Sequence, residues 1–123
     1  LLVLAAVALL AWAWRTTDAA FERRYAQPRD LGMAQAVRAA SVDLGRRIVT
    51  VRNGCVDCHG ADLSGRKVVD NPFIGTLHGP NLTPARLRDW TDDQVATAIR
   101  YGVGRDGRPL ALMPSHEYQH LAR

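Results

Sequence analysis

Two cysteines and a histidine stand close together near the middle of the chain and carry its most specific chemical signal. Cys55 and Cys58 are separated by two residues, His59 follows directly, and the chain has only these 2 cysteines. Two thiols at this spacing can each form a thioether with a vinyl group of one porphyrin, while the adjacent imidazole reaches the iron from one face. The motif therefore predicts one covalently bound haem c (heme c), with His59 as an iron ligand.

The same three residues allow two other interpretations. A disulfide redox pair usually begins a helix within a βαβ unit, and no β-rich pattern surrounds Cys55. A zinc site would need further ligands, such as His59 and His78, but His59 directly abuts Cys58 and no second cysteine pair follows. Haem attachment is favoured over both.

A second iron ligand is expected from a distant part of the chain, and small single-haem proteins normally use methionine or histidine. Met113 lies in the apolar loop Pro109–Pro114, whose prolines restrict the backbone, whereas Met33 precedes the cysteine motif. We therefore predict Met113 as the second axial ligand, against the competing role of a methionine that fills a gap in the core. The rival ligands are the remaining histidines, His78, His116 and His120.

Length and charge limit the class of protein. The chain has 123 residues, which predicts one domain together with an anchor or leader. Its formal net charge is +4, but the basic residues are scattered and several follow the first apolar segment, which argues against nucleic-acid binding. The polar part is small enough that a bulky apolar cofactor would add substantially to its core.

Residues 1–14 contain no charged side chain and predict a transmembrane anchor. Trp12 and Trp14 resemble the aromatic belt of a membrane interface. A segment of this length is too short for about 30 Å of hydrocarbon, so a few residues are expected upstream. A cleaved signal peptide is the alternative. Residues 15–40 are predicted to form a stalk, helical until near Pro28, and then a connector.

Capping patterns predict two helices after the connector. Ser41 is a candidate N-cap for a helix that leads towards Gly54. Thr91 and Gln94 form a capping-box pattern at the start of a second helix, which should end at Gly102. No strand pattern of useful length is evident in this part of the chain, which predicts an all-α domain.

With these residues in place, residues 41–121 resemble class I cytochromes c, and within them the membrane-anchored single-haem bacterial proteins similar to cytochrome subunits of dehydrogenases. The resemblance implies a class I cytochrome c fold wrapped around one haem over residues 41–123, preceded by a membrane-anchor helix. The matching stretches are Gly45-Arg46-Arg47-Ile48, Cys-x-x-Cys-His-Gly with Asp62-Leu63-Ser64-Gly65, Gly79-Pro80-Asn81-Leu82-Thr83, Trp90-Thr91-Asp92-Asp93-Gln94, Asp106-Gly107-Arg108-Pro109-Leu110 and Met113-Pro114-Ser115.

The resemblance also implies roles for individual residues. The Pro80 carbonyl is expected to accept a hydrogen bond from the second ring nitrogen of His59, which would orient the ligand. Gly45 is expected where the amino-terminal helix crosses a carboxy-terminal helix. That last helix is truncated, since His116–Arg123 is too short for it, so it is expected in a longer chain. Three further residues are candidates for contact with the haem edge or a propionate: Arg66, Asn81 and Trp90. An exposed arginine and a core tryptophan are the competing roles of the first and the last.

The function implied by the resemblance is electron transfer without an enzymatic reaction. The chain is expected to pass single electrons from a dehydrogenase or quinol-oxidising complex to a terminal oxidase or soluble carrier, or to serve as the haem subunit of a dehydrogenase complex. Thioether attachment is completed outside the bacterial cytoplasm, which places the protein in the inner membrane facing the periplasm. A haem enzyme or gas sensor, with Met113 absent from the iron, is the alternative from another class, and a structural or assembly role comes third.

Overall fold

The computed structural model describes residues 1–27 and 31–120, and its contacts divide the chain into two compact units. The first unit comprises Leu1–Ala34 and Thr91–Arg123, and the second comprises Gln35–Trp90. The predicted end of the stalk near Pro28, and the last three residues of the segment His116–Arg123, lie outside the described residues.

The amino-terminal part of the first unit is one long helix, α1, which spans Leu2–Glu22. Its alanines and leucines favour helix strongly, and none of its residues is buried. It has 21 residues, and an 18-residue stretch of it has a mean hydropathy of 1.3, so it is long and apolar enough to cross a membrane, although a signal sequence passes the same test. The helix continues through the start of the predicted stalk and ends where Arg23 turns to an extended conformation.

The second predicted helix is confirmed as α6, Asp92–Tyr101. Both hydrogen bonds of the capping box are present: the Gln94 N–H donates to Thr91 Oγ1 at 3.2 Å, and the Thr91 N–H donates to Gln94 Oε1 at 3.0 Å. Gly102 ends the helix in the left-handed conformation, as glycine commonly does.

A short helix, α7 at Ser115–Tyr118, packs against α6 and completes the small core of this unit. Val103 pairs with Pro109 in an isolated bridge, and the Leu110 N–H donates to the Gly102 carbonyl at 2.6 Å, so the loop returns to the end of α6. The buried residues of this core are Ala96, Thr97, Ala98, Val103 and Ser115.

Helices α2, Met33–Ala39, and α3, Val42–Arg47, precede the cysteine motif. The predicted N-cap of α3 is confirmed, because Ser41 Oγ accepts a hydrogen bond from the Leu44 N–H at 3.2 Å. The helix does not run regularly to Gly54; it widens into a π-helical turn at Ile48–Arg52. π turns of this kind often lie near functional sites.

The cysteine motif forms a short helix, α4 at Cys55–His59, which contacts an antiparallel hairpin. Strand β1 spans Arg66–Asn71 and strand β2 spans Gly75–Gly79. A final turn of helix, α5 at Pro84–Leu87, follows the hairpin. The prediction of an all-α class I cytochrome c fold is therefore wrong, since this unit contains a two-stranded sheet.

The hairpin escaped detection because its sequence does not alternate cleanly. The valines of β1, Val68 and Val69, are adjacent, so they do not alternate with polar residues as in a regular strand. The pairing with β2 shifts register between Lys67 and Val69. Asn71 Oδ1 accepts hydrogen bonds from the Phe73 and Ile74 N–H groups and so stabilises the turn. The available sequence signal was Asn71 followed four residues later by Gly75, two residue types that are common in turns. In the structure Gly75 has φ +96°, a conformation that glycine adopts without strain.

Candidate functional site

Helix α4 brings the three residues of the motif onto one side. Gly54 begins the helix in the left-handed conformation, with φ 59°, which a glycine adopts without strain. Cys58 and His59 follow Cys55 by three and four positions, and side chains at these spacings are neighbours on a helix surface. Both thiols and the imidazole can therefore address a single group.

The two thiols differ in their surroundings. Both are free, and Cys55 is half-buried whereas Cys58 is exposed. Burial raises the pKa of the Cys55 thiol, and the nearby Cys58 adds to this effect. Cys55 therefore remains a neutral thiol over a wider pH range than an ordinary cysteine.

The half-buried His59 imidazole is oriented by a single backbone group. Its Nδ1 atom lies 2.8 Å from the carbonyl oxygen of Pro80. A carbonyl oxygen only accepts hydrogen bonds, so Nδ1 carries the proton and, in the neutral ring, Nε2 keeps its lone pair. This is the tautomer that binds a metal through Nε2, with a carbonyl partner that orients the ring. The role of Pro80 towards an iron-bound imidazole stays a prediction.

The backbone before Pro80 packs tightly against the motif. Gly79 lies so close to the Cys58 carbonyl that a Cβ at residue 79 would collide with that oxygen. The Gly65 N–H donates to the His59 carbonyl at 2.8 Å, and a Cβ at Gly65 would lie 2.9 Å from the Gly79 oxygen. The only sequence signal for this contact was the dipeptide Gly79-Pro80.

The second unit also exposes a large apolar surface. Phe73 and Ile74 at the hairpin turn are 94% and 79% exposed. None of the described helices and strands between Val42 and Leu87 contains a buried residue. The other exposed apolar side chains in this unit are Val37, Val42, Leu44, Val51 and Val68. Apolar surface, paired thiols and an imidazole with an available Nε2 together suit a large apolar ring that carries a metal, so these residues fit a haem.

The structure does not favour the two alternatives considered from the sequence. Within residues 1–27 and 31–120, no group of three or more His, Cys, Asp or Glu side chains is placed to hold a metal ion, and His78 is exposed on β2. A zinc site built on His59 and His78 therefore lacks a ligand cluster. The cysteine pair does begin a helix, as redox pairs do, but it adjoins an antiparallel hairpin rather than a βαβ unit.

Met113, the predicted second ligand, belongs to the first unit. It is half-buried, and its N–H donates to the Leu110 carbonyl at 3.0 Å. Two residues later, the buried Ser115 hydroxyl donates to the Ala98 carbonyl of α6 at 3.1 Å. Hydrogen bonds at Met113 itself and at Ser115 therefore hold the loop that carries Met113. Sequence analysis did not single out Ser115, and the ligand role of Met113 stays a prediction.

The remaining candidates have ordinary local roles. Asn81 Oδ1 accepts hydrogen bonds from the Thr83 N–H and hydroxyl, both at 2.7 Å, which shapes the turn before α5. Arg66 is exposed at the start of β1 and Trp90 is half-buried. A Cβ placed on Gly45 would meet no atom within 4 Å beyond its own helix and chain neighbours, and the helix crossing expected there, which would involve residues of the other unit, stays a prediction. The rival histidines of the first unit, His116 and His120, are exposed.

Comparison with known protein families, with curated proteins and with solved structures finds no match to this chain.

Proposed function

We propose that this protein is a membrane-anchored c-type cytochrome that carries single electrons and transforms no substrate. The observation that carries the proposal is the arrangement on α4: two free thiols beside an imidazole whose Nδ1 is committed to the Pro80 carbonyl at 2.8 Å. The extended sequence resemblance to c-type cytochromes supports the same conclusion.

Within this proposal, each residue of the site has a defined task. Cys55 and Cys58 would hold the haem through thioether bonds, and His59 Nε2 would bind its iron. The Pro80 carbonyl keeps the imidazole proton on Nδ1 and limits rotation of the ring. When bound, the haem supplies an iron centre that gains and loses one electron. If the same residues hold the iron in both oxidation states, little of the structure has to move when an electron is transferred. The reorganisation energy of electron transfer is then small.

Met113 would supply the second iron ligand. Its loop is held at the end of α6 by the Leu110 and Ser115 hydrogen bonds, which limit the motion of the backbone that carries the sulfur. A haem iron held by a thioether sulfur and an imidazole would have a higher reduction potential than one held by two nitrogen ligands. A potential in that range suits a carrier between a dehydrogenase or quinol-oxidising complex and a terminal oxidase or soluble carrier.

We place the chain in the bacterial inner membrane with its polar part in the periplasm. Helix α1 is long and apolar enough to span the bilayer, which supports the anchor. The orientation follows from the proposed chemistry, because thioether attachment of haem is completed outside the cytoplasm.

The proposal is tested by expressing the chain in a bacterium that attaches haem c and by measuring the mass of the peptide that contains Cys55 and Cys58. We expect the added mass of one haem. A Cys55→Ser/Cys58→Ser variant is the matched control and should lack it. An unmodified peptide from cells that mature other c-type cytochromes would contradict the proposal.

The same material tests the second ligand. We expect the oxidised protein to show the weak near-infrared band of a methionine sulfur on haem iron, and Met113→Ala to abolish it. Met33→Ala is the matched control and should retain the band. If the wild-type reduced protein instead binds carbon monoxide rapidly, an open iron site, and with it a sensor or enzyme, replaces the carrier.

A further inference from the structure

The segment that follows α1 is hydrogen-bonded to a loop of the same unit, about 80 residues later in the sequence. The Tyr25 N–H donates to the Gly107 carbonyl at 2.8 Å, and the Gln27 side-chain amide donates to the Gly104 carbonyl at 2.5 Å. We call these residues, together with the ion pair described next, the anchor junction. They join the end of the anchor helix to the loop Gly104–Arg108.

An ion pair at the last residue of α1 adds a third contact. Arg108 Nη2 lies 3.0 Å from Glu22 Oε2, with both side chains about half exposed. The buried Gly107 reaches the strand so closely that a Cβ there would lie 3.0 Å from the Tyr25 carbonyl oxygen. Three contacts spread over residues 22–27 fix both the position and the direction of the chain as it leaves the helix.

The length of α1 sets the height of this loop above the bilayer. We place the interface at Trp12 and Trp14, because tryptophan prefers that depth and the charged residues of α1 all follow it. Glu22 follows Trp14 by eight residues, which is about 12 Å along the helix axis at 1.5 Å per residue. The headgroup layer is about 5–7 Å thick on each side of the hydrocarbon. The anchor junction therefore lies just outside the headgroups, within reach of a long side chain.

The charges at this height are mainly positive. Arg105 is exposed on the loop, and Arg23 and Arg24 are exposed on the strand that leaves the helix, whereas Arg15 lies one residue beyond Trp14, at the interface itself. Two acidic groups lie beside these arginines, Glu22 at the end of α1 and Asp106 within the loop, and both are paired with Arg108, at 3.0 Å and 3.5 Å. Basic side chains within about 10 Å of a bilayer are attracted to anionic lipids.

We propose that the loop Gly104–Arg108 is a lipid-contacting surface, held by the anchor junction against the anionic headgroups of the bilayer that α1 crosses. The proposal rests on the anchor part of the proposed function and is independent of the haem. This contact would fix the orientation of the first unit relative to the membrane. The loop that leads to Met113 would then start at the lipid surface.

The test uses the full haem-loaded chain in vesicles of phosphatidylcholine and phosphatidylglycerol. A positively charged fluorophore is placed on Arg105→Cys, so that the charge of that position is retained. In a second sample the same fluorophore is placed on Phe21→Cys, in the last turn of α1, as a height reference. Thioether formation leaves only the introduced thiol for labelling, which the unsubstituted chain verifies. Lipids with a nitroxide on the headgroup serve as quenchers. We expect the two labels to be quenched to the same degree, within about twofold, because they lie at similar heights.

Breaking the anchor junction should release the loop without moving the helix. Gly107→Ala introduces the clash with the Tyr25 carbonyl, and Gln27→Ala/Arg108→Ala removes two side-chain contacts without backbone strain. We expect either change to lower quenching at residue 105 at least about threefold, since a surface loop without its contacts opens easily. Gly75→Ala has a similar positive φ and no neighbour within 4 Å, so it should change nothing.

The outcomes separate the two proposals. Quenching at residue 21 but not at residue 105 would overturn the lipid contact and leave the anchor intact. Absence of quenching at both positions would overturn the anchor and the lipid contact together, while haem absorbance in the same sample reports the cytochrome independently. Equal quenching at residue 105 in vesicles of phosphatidylcholine alone would overturn the assignment to anionic headgroups.

Discussion

The Nδ1 atom of His59 donates a hydrogen bond to the Pro80 carbonyl oxygen at 2.8 Å, across 21 positions of the sequence. This contact depends on the residue before the proline, because only a glycine at position 79 lets the backbone approach the Cys58 carbonyl so closely.

Gly79→Ala should destabilise the protein by about 1–3 kcal/mol, since the added Cβ collides with the Cys58 carbonyl and the backbone must shift. The shift should also weaken the His59–Pro80 hydrogen bond. Urea unfolding measures the first effect, and the NMR signal of the His59 ring N–H measures the second. Gly45→Ala is the matched control, and it should stabilise α3 by about 0.5–1 kcal/mol, because open space surrounds that position. Equal effects at the two glycines would contradict the packing.

Two buried hydroxyls in the first unit should respond in opposite ways to removal. Ser115→Ala should cost about 1 kcal/mol, because it deletes the bond from the Ser115 hydroxyl to the Ala98 carbonyl. Thr97 Oγ1 is buried without a hydrogen-bond partner among the described residues, so Thr97→Val should stabilise by about 1 kcal/mol. The free energy of unfolding of each variant, compared with that of the unsubstituted protein, tests both expectations. A destabilised Thr97→Val would mean that its hydroxyl has a polar partner.

The two thiols of the haem-free chain should react at different rates. Burial raises the pKa of the Cys55 thiol, so less reactive thiolate is present there at pH 8, whereas Cys58 is exposed. We expect iodoacetamide to modify Cys58 several-fold faster, and Cys55 to approach the same rate only at higher pH. Peptide mass spectrometry over a pH series resolves the two sites. In urea the rates should converge; faster modification of Cys55 in the folded chain would contradict its burial.

The hairpin should lose stability in acid through Asp70. Hydrogen bonds from Lys67 and Thr76 lower the pKa of this carboxyl below its usual range. Because the pKa is lower in the folded than in the unfolded chain, the carboxylate stabilises the hairpin above the ordinary aspartate pKa, and this stabilisation is lost as the pH falls through the lowered value. Amide exchange in β1 and β2 over an acid series should follow this loss.

Two variants isolate the contribution of Asp70. Thr76→Val removes one donor and should move the pKa of Asp70 back towards its usual range, as its carboxyl NMR signal would show. Asp70→Asn should abolish the acid dependence of the hairpin altogether. An unchanged pKa in Thr76→Val would mean that the cross-strand hydrogen bond does not hold the carboxylate.

Local patterns in the sequence determined a definite part of this structure. Ser41 and the capping box of Thr91 and Gln94 were identified as N-caps, and both form the expected hydrogen bonds. Gly102 was identified as the end of α6 and adopts the left-handed conformation. These features depend on residues within four positions of one another, so their chemistry can be read directly from the order of residues.

The spacing of Cys55, Cys58 and His59 likewise determined that three reactive groups share one face of a short helix. Only the tertiary structure decided that Arg66–Asn71 and Gly75–Gly79 pair as strands, and that the hairpin returns Pro80 to the imidazole. The physical reason is that strand pairing and the His59–Pro80 contact join residues distant in sequence. Their stability comes from backbone groups that every residue shares, and the register shift at Lys67 hides the side-chain alternation that would have revealed them.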